Sequence, residues 1–593
     1  MVPAFQVESR LMRGTDAAAC EARTPTLGIE ISEGVEAEKL IGNPDFLSEW
    51  EGLDRRCGWA SVYQGRDFVL CWYDCYRDQY SPLVVAGRDG HGRLVGLFTL
   101  AIHAATGRIT AAGDKHAEYQ AWLSEPGDGN RFIEEALDAL ATKYPGRGLT
   151  LLFVLPGVPV QWALEGGNWA DRCVARTLPR GLMEIGNGDN FRDTLRKKKQ
   201  SKINRLKRLG NLHLDRIDDP EELGRVFDEV IRFQTLRLRA IYNLTDLEDD
   251  PRMRDFYVAL GRLPRMIHAT ALRVDNQLVS AQIHMYNREQ VLLGRITHSP
   301  FFAKYSPGEL HTLMTGIELA KEQVPVFDLT PGGSYKDRYA TSHDEVFVVK
   351  VFFSRAHCLR YKAARKLAEA LKTAIGYFKI EPEAARNAYS SLLDRSRKWL
   401  GLGPSQMILS VLNGLGRLIW RSDEYRIYSR DLSGLSATDT GDGILRDSLE
   451  DLLSYQPDAA WQPAVNDYLK SALAKLEAGH HLYTRMEGGR LAGYGWLLEA
   501  RNLKEAPISG LDFTLPVESV LLGDFHDHIA GQAPPPGALK EMLRDAAGMA
   551  GIEQAFVVVR AENRPLAREV ENAGFTHRES FDDRRLFGMR RKG

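Results

Sequence analysis

The stretch VPVFDLTPGGSYKDRYATS, residues 324–342, decides how the middle of this chain is read. Val326, Phe327 and Leu329 bracket Asp328 in a short apolar run that reads as a buried strand. Gly332 and Gly333 then permit a tight turn, because glycine enters φ > 0 without a steric cost. Residues 334–342 are expected to open a helix with Tyr335 and Lys336 in its first turn. Whether that start overlooks a reactive cleft depends on what lies upstream.

Immediately upstream, YSPGELHTLMTGIELAKEQ (residues 305–323) reads as a helix with Pro307 in its first turn, where a missing N–H costs nothing. Before it, residues 266–298 carry three apolar runs broken at Asp275-Asn276 and Asn287-Arg288, a three-stranded meander. Residues 219–241 have helical spacing, with Asp218 or Asp219 as cap. The predicted order is helix, meander, helix, strand, helix.

The flanks repeat parts of this pattern. Residues 66–76 read as a helix, 81–103 as a hairpin, 130–144 as a helix and 148–155 as a buried strand. This is an α/β unit of mixed strand direction, not a doubly wound sheet. Further on, residues 480–500 read as a hairpin, 518–526 as a strand, 536–551 as a helix, 552–560 as a strand and 563–575 as a helix ending at glycine. The expected segments are 1–39 as an extension, 40–185 as a first α/β half, 186–354 as a second, 355–420 as a basic helical connector and 421–593 as a third α/β unit. Apolar residues with basic ends at 397–421 also suit an interfacial helix, but packing on neighbours is the favoured reading.

Composition narrows the classes. Of 593 residues, 44% are hydrophobic and 26% charged, ordinary for a soluble globular protein. A net charge of −2 excludes a protein that binds nucleic acid by overall charge, and DNA is not an expected partner. One local exception is residues 191–210, with nine Lys or Arg against a single acidic residue. Neither a signal-peptide core nor a membrane-length apolar run is present, and six cysteines without paired short spacing argue against a disulfide framework or zinc site. No metal is expected, and the expected setting is cytoplasmic, with peripheral contact at the inner membrane face as an extension of the connector reading.

The chemistry starts at Ser306. A helix start presents unpaired N–H groups and partial positive charge, and Gly308 leaves room for close approach. Residues Ser306, Pro307, Gly308 and Glu309 are therefore the candidate binding segment for an anionic carrier. The strand around Asp328 would lie beside the strand leading into that helix, and parted strand ends form a slot for a pantetheine arm. Tyr335 could protonate a departing thiolate, and Lys336 could neutralise developing charge. His284 and His298 also lie on the meander but stay outside the leading set, since a lone strand histidine is more often structural.

Together, FRDTLRKKKQSKINRLKRLG (residues 191–210), YSPGELHTLM (305–314) and VFDLTPGGSYKDRYA (326–340) resemble the CelD/BcsL-type acyltransferases of the GNAT superfamily, with GRLVGLFTLAI and KHAEYQAWLS in the first half. The resemblance spans about residues 40–360 and extends to the FemABX aminoacyltransferases, which are two fused GNAT-like halves. It implies transfer of an acyl group from acetyl-CoA or a longer acyl-CoA to an amine on a small, lipid-linked or sugar-linked acceptor in envelope, polysaccharide or lipid metabolism. It places Asp328, Tyr335 and Lys336 at the reaction centre. An aminoacyl-tRNA donor and a non-catalytic binding module are the alternatives.

The third unit resembles a GNAT domain as well, with Asn563 where CoA contact is implied. Two departures set it apart. Residues 534–536 are prolines where backbone donors are wanted, and Val570 stands where the family commonly has tyrosine.

Overall fold

The structure is a computed structural model that describes residues 27–243, 250–377, 420–433, 443–457, 462–503, 515–527, 533–586 and 589–590. The start of the expected extension and residues 378–419 of the expected connector lie outside the described residues; the connector's basic helix is present as Arg355–Tyr377. Among the described residues, no helix is long and apolar enough to cross a membrane.

The chain forms two compact units. One gathers the described residues up to Arg66 with Asp78–Ala175 and Val348–Cys358. Its sheet runs Gly28–Glu33, Tyr80–Arg88, Leu94–His103, Ile109–Ala111, with antiparallel neighbours throughout. Gly87 and Gly96 face each other across the hairpin, and the Phe132 ring of helix Gly129–Lys143 lies on the pair. A Cβ at Gly96 would sit 2.2 Å from that ring, so the two glycines are what lets the helix approach.

The second unit gathers Asp67–Arg77, Arg176–Phe347 and the described residues from Leu359 onward. Helix Arg66–Cys75, assigned to the first half from sequence, contributes most of its residues here: Phe68 and Tyr76 pack edge-on against Phe256.

This second unit holds two sheets of matching order. The first runs Ser342–Phe352, Cys173–Glu184, Val326–Pro331, Gln290–His298, Gln277–Asn287, Ile267–Val274, Leu212–Ile217. The other runs Thr576–Leu586, Trp420–Asp431, Gln554–Arg560, Ser519–Asp527, Arg490–Glu499, His481–Glu487, Ile444–Arg446. In each, the strand that enters the domain inserts beside the last strand. In each, a crossover helix joins two parallel neighbours: Pro307–Lys321 in the first, Ala538–Gly548 in the second. The meander neighbours are antiparallel. The fold is thus mixed α/β with mostly antiparallel sheets.

Helices Pro220–Tyr242 and Val465–Ala478 occupy equivalent places in chain order, the one between Leu212–Ile217 and Ile267–Val274, the other between Ile444–Arg446 and His481–Glu487. Asp219 caps the first by accepting from Glu221 and Glu222 N–H, with Pro220 at its first position. Phe227, Val230 and Leu236 of one share a core with Leu469, Leu473 and Leu476 of the other.

One sequence expectation is corrected. Residues 334–342 do not open a helix: Ser334–Arg338 is a single 3-10 turn, and the chain continues as the strand Ser342–Phe352. The β-branched run Val346, Val348, Val349, Val351 favours a pleated, half-buried surface over a helix.

Candidate active site

Strands Gln290–His298 and Val326–Pro331 pair for three residues only, Gln290 with Val326, Val291 with Phe327 and Leu292 with Asp328, and then part. Both strands are irregular at that point. On Gln290–His298, two residues oppose one: the register against Gln277–Asn287 slips between Ile283 and Met285, leaving His284 across from Leu293 and Gly294. Such a bulge bends a strand and frees it from its neighbour. Gly294 is required here, since a Cβ would lie 2.3 Å from the Ile283 carbonyl oxygen. Its N–H donates to His284 Nδ1 at 3.2 Å.

On the facing strand, the register against Cys173–Glu184 slips between Asp328 and Pro331, and Thr330 takes φ 57°. Two sequence-predicted residues hold that kink. Asp328, with no exposed surface, accepts the Thr330 N–H at 2.8 Å. Lys336 Nζ donates to Thr330 Oγ1 at 2.9 Å and to its carbonyl at 3.2 Å. Arg180 donates to the buried Asp328 at 2.9 Å and through Nε to the half-buried Asp344 at 2.8 Å, an ion triad. Asp328 and Lys336 are thereby brought together as positioning residues around Thr330. Gly332 and Gly333, at φ 81° and 80°, turn the chain into the 3-10 segment that carries Tyr335. Tyr335 is 40% exposed, and partial burial of its phenol pushes its pKa up.

The helix start lies at the end of the parted strand. A 3-10 segment Pro300–Tyr305 leads to Ser306 in the left-handed conformation, and Pro307 begins the helix. Ser306 makes no side-chain cap; its Oγ accepts from Lys202 Nζ at 2.7 Å. Glu309 pairs with Lys199 at 2.6 Å and Lys202 at 3.6 Å. Burial works to raise the Glu309 carboxyl, but the two lysines and Arg338 outweigh it and hold it below its usual range. Tyr339 is pushed up to about 12 by burial and by the Glu309 charge, which places the 3-10 turn and the helix start in one electrostatic neighbourhood. A Cβ on Gly308 would meet only His298 Nδ1, at 3.6 Å, so this backbone is open to approach. The sequence marked Ser306 through Glu309 but not Lys199 and Lys202, although both stand in the basic stretch it noted.

Behind the helix lies a buried polar layer. His311 joins Thr270 Oγ1 at 2.9 Å and Ser280 Oγ at 3.0 Å, while His284 Nε2 meets Gln282 Oε1 at 3.1 Å. Burial drives both imidazoles well down, His311 to about 3. His298 also falls to about 3, from burial and from Arg237, which donates to its carbonyl at 2.6 Å. These histidines are structural neutral groups. Periodicity gave no sign of His268 and His311, because a histidine on an inward strand or helix face reads like any other inward residue.

In the C-terminal sheet, Asn563 caps helix Arg564–Asn572 by accepting the Leu566 N–H at 3.2 Å, and Val570 is fully buried. Helix Ala538–Gly548 starts behind the three prolines; Ala538 N–H is already bonded to the Pro535 carbonyl at 2.9 Å, and Pro535 covers Gly493. A Cβ on Gly537, just ahead of this helix, would meet nothing within 4 Å, so the prolines remove backbone donors here without closing the approach.

Residues 193–340 match the family described as acetyltransferase (GNAT) domain. Comparison with curated proteins returns no match. Among solved structures, the chain is similar to FemX at 11% identity over 51% of this chain and 95% of that one, TM-score 0.36. It is similar to a tandem GNAT protein from the clavulanic acid biosynthesis pathway at 14% over 54% and 98%, TM-score 0.34. L-PGS from Bacillus licheniformis gives 11% over 55% and 96%, TM-score 0.32. The segment that matches an acetyltransferase (GNAT) domain, residues 193–340, thus contains the parallel pair that parts at a bulge beside an open helix start.

Proposed function

We propose that this protein is an acyl-CoA-dependent acyltransferase that acylates an amine on a small, lipid-linked or sugar-linked acceptor in cell-envelope, polysaccharide or lipid metabolism. The observation that carries the reading is the parting of Gln290–His298 from Val326–Pro331 in front of the lysine-flanked start of Pro307–Lys321. The diphosphate of the carrier meets the backbone at Ser306, Pro307 and Gly308, with Lys199 and Lys202 supplying positive charge and Glu309 setting their position. The acyl arm enters between the parted strands. There a free backbone N–H past the bulge polarises the thioester carbonyl. The neutral amine attacks that carbon, the nitrogen releases its surplus proton to water, the C–S bond breaks, and the departing thiolate takes a proton.

Tyr335 is the proposed proton donor, and its raised pKa keeps it protonated at neutral pH. Asp328 and Lys336 act through Thr330 by holding the kink that opens the slot. Tyr335→Phe is expected to lower kcat about 100-fold while changing the affinity for acetyl-CoA less than threefold. Equal kcat in the two proteins removes Tyr335 from the mechanism.

A second donor, aminoacyl-tRNA, is favoured by one observation: Arg196, Lys197, Lys198, Arg205, Lys207 and Arg208 are exposed beside the helix start. Binding of tRNA that falls steeply with salt is the result that replaces acyl-CoA with this donor. The repeated strand order of the C-terminal sheet supports reading it as a further GNAT-like domain, whose three prolines ahead of the helix start remove backbone donors and suit a supporting or binding role. Peripheral contact with the inner membrane face fits a lipid-linked acceptor.

A further inference from the structure

A cavity of about 990 Å³ opens within the second unit, between the 299–305 segment and the equivalent helix Val465–Ala478 with its following turn. Its walls are partly apolar, from Phe233, Leu278, Phe301, Phe302, Leu449 and Leu476. On one side, charges are fully committed: His481 Nδ1 meets Asp447 at 2.8 Å, and Arg446 meets Asp545 at 3.3 Å. These groups form a fixed polar wall.

The opposite side is different. Glu229 and Arg232, one turn apart on helix Pro220–Tyr242, line the cavity half-buried and feel each other's charge. Among the described residues, neither joins a hydrogen bond or ion pair. Lys304 lines the same space, also without an acidic partner among the described residues. His480, only 5% exposed, borders the cavity with its Nδ1 lacking any hydrogen-bond partner. A buried polar atom without a partner is costly, and the His480 Nδ1 faces the same space as the half-buried Glu229 and Arg232 and the exposed Lys304. The volume falls in the range of small-molecule sites, roughly 300–1,000 Å³.

Charge selects the ligand class. An anion alone would face Glu229, Asp447, Glu450 and Glu499, and a cation alone would face Arg232, Lys304 and Arg446. A ligand with both charges meets opposite charge at each end. We propose that this cavity binds an amino-acid-like zwitterion with an apolar body, its ammonium on Glu229, its carboxylate on Arg232 and Lys304, and a polar atom at His480 Nδ1. The site uses none of the residues assigned to acyl transfer, so it stands whether or not that reading holds.

The test is calorimetric titration of the full chain with glycyl-L-phenylalanine, beside N-acetyl-L-phenylalanine, which lacks the ammonium, and phenethylamine, which lacks the carboxylate. The expected result is saturable binding of the dipeptide, with each control weaker by about tenfold or more. Glu229→Gln is expected to erase the preference over N-acetyl-L-phenylalanine, and Arg232→Met the preference over phenethylamine, with circular dichroism unchanged. No saturable heat up to about 10 mM dipeptide, or equal affinity for all three probes, overturns the proposal. The wild-type titration decides it even if a variant fails to fold.

Discussion

Lowering the pH from 7 to 5 is expected to cost the second unit about 2 kcal/mol of stability through His311, with a further loss through His284. Neither ring has any exposed surface. His284 accepts the Gly294 N–H at Nδ1, which requires that nitrogen to be unprotonated, and His311 is bonded at both nitrogens to hydroxyls. Burial depresses both pKa values, with His311 at about 3 in the folded protein.

A histidine depressed on folding contributes its stability in full above the unfolded pKa, near ~6.5, and loses it as pH falls toward the folded value. One pH unit is worth about 1.4 kcal/mol per group, so the interval from ~6.5 to 5 removes about 2 kcal/mol through His311, and His284 adds a loss of the same sign. Glu229, raised by burial, opposes this loss as it takes up a proton, and Glu322 stays out of the window. Glu322 lies at about 2, where its bonds with His268 and Tyr286 overcome the burial that opposes ionisation, and so it stays charged. Urea unfolding at pH 7 and pH 5 measures the effect, and His311→Gln is expected to remove about 2 kcal/mol of it. A midpoint that does not move between the two pH values contradicts the neutral buried pair.

Replacing Arg180 with methionine is expected to cost about 3–5 kcal/mol, because it leaves Asp328 buried without its cation. The guanidinium is 9% exposed and the carboxylate not at all, so water cannot take over the missing bonds. The double change Arg180→Met with Asp328→Asn removes both charges and is expected to cost less than the single change. Because Asp328 also holds the Thr330 N–H, the single variant should lose the kink that separates the strands, and acyl-CoA binding with it. Chemical denaturation together with calorimetry reads both. A loss below about 1 kcal/mol in the single variant would show that the triad does not hold the site.

Local order was legible in the sequence wherever one face of an element is buried. The meander breaks at Asp275 and Asn287, the helix start at Pro307 and the strand through Asp328 all follow from apolar spacing and turn chemistry. The failure at residues 334–342 has a local cause. A glycine pair followed by polar residues marks a turn equally well before a helix or a strand, and the valines that decide the matter lie further on, from Val346.

The site divides in the same way. Ser306 to Glu309 could be marked because a helix start is a local property. Arg180 could not, since its bond to Asp328 spans 148 positions and only the sheet order brings them together. The pairing of Lys199 and Lys202 with Glu309 was hidden for the same reason; in the sequence they are two members of a basic run.

The central claim is that the start of Pro307–Lys321 holds a CoA thioester. Titration calorimetry with acetyl-CoA tests it most directly, on the wild-type chain and on the double variant Lys199→Ala, Lys202→Ala. Saturable one-site binding is expected for the wild type, weakened about tenfold or more in the variant, where Glu309 loses both lysine partners at the helix start. Absence of binding to the wild type, or equal affinity in the two proteins, would contradict it.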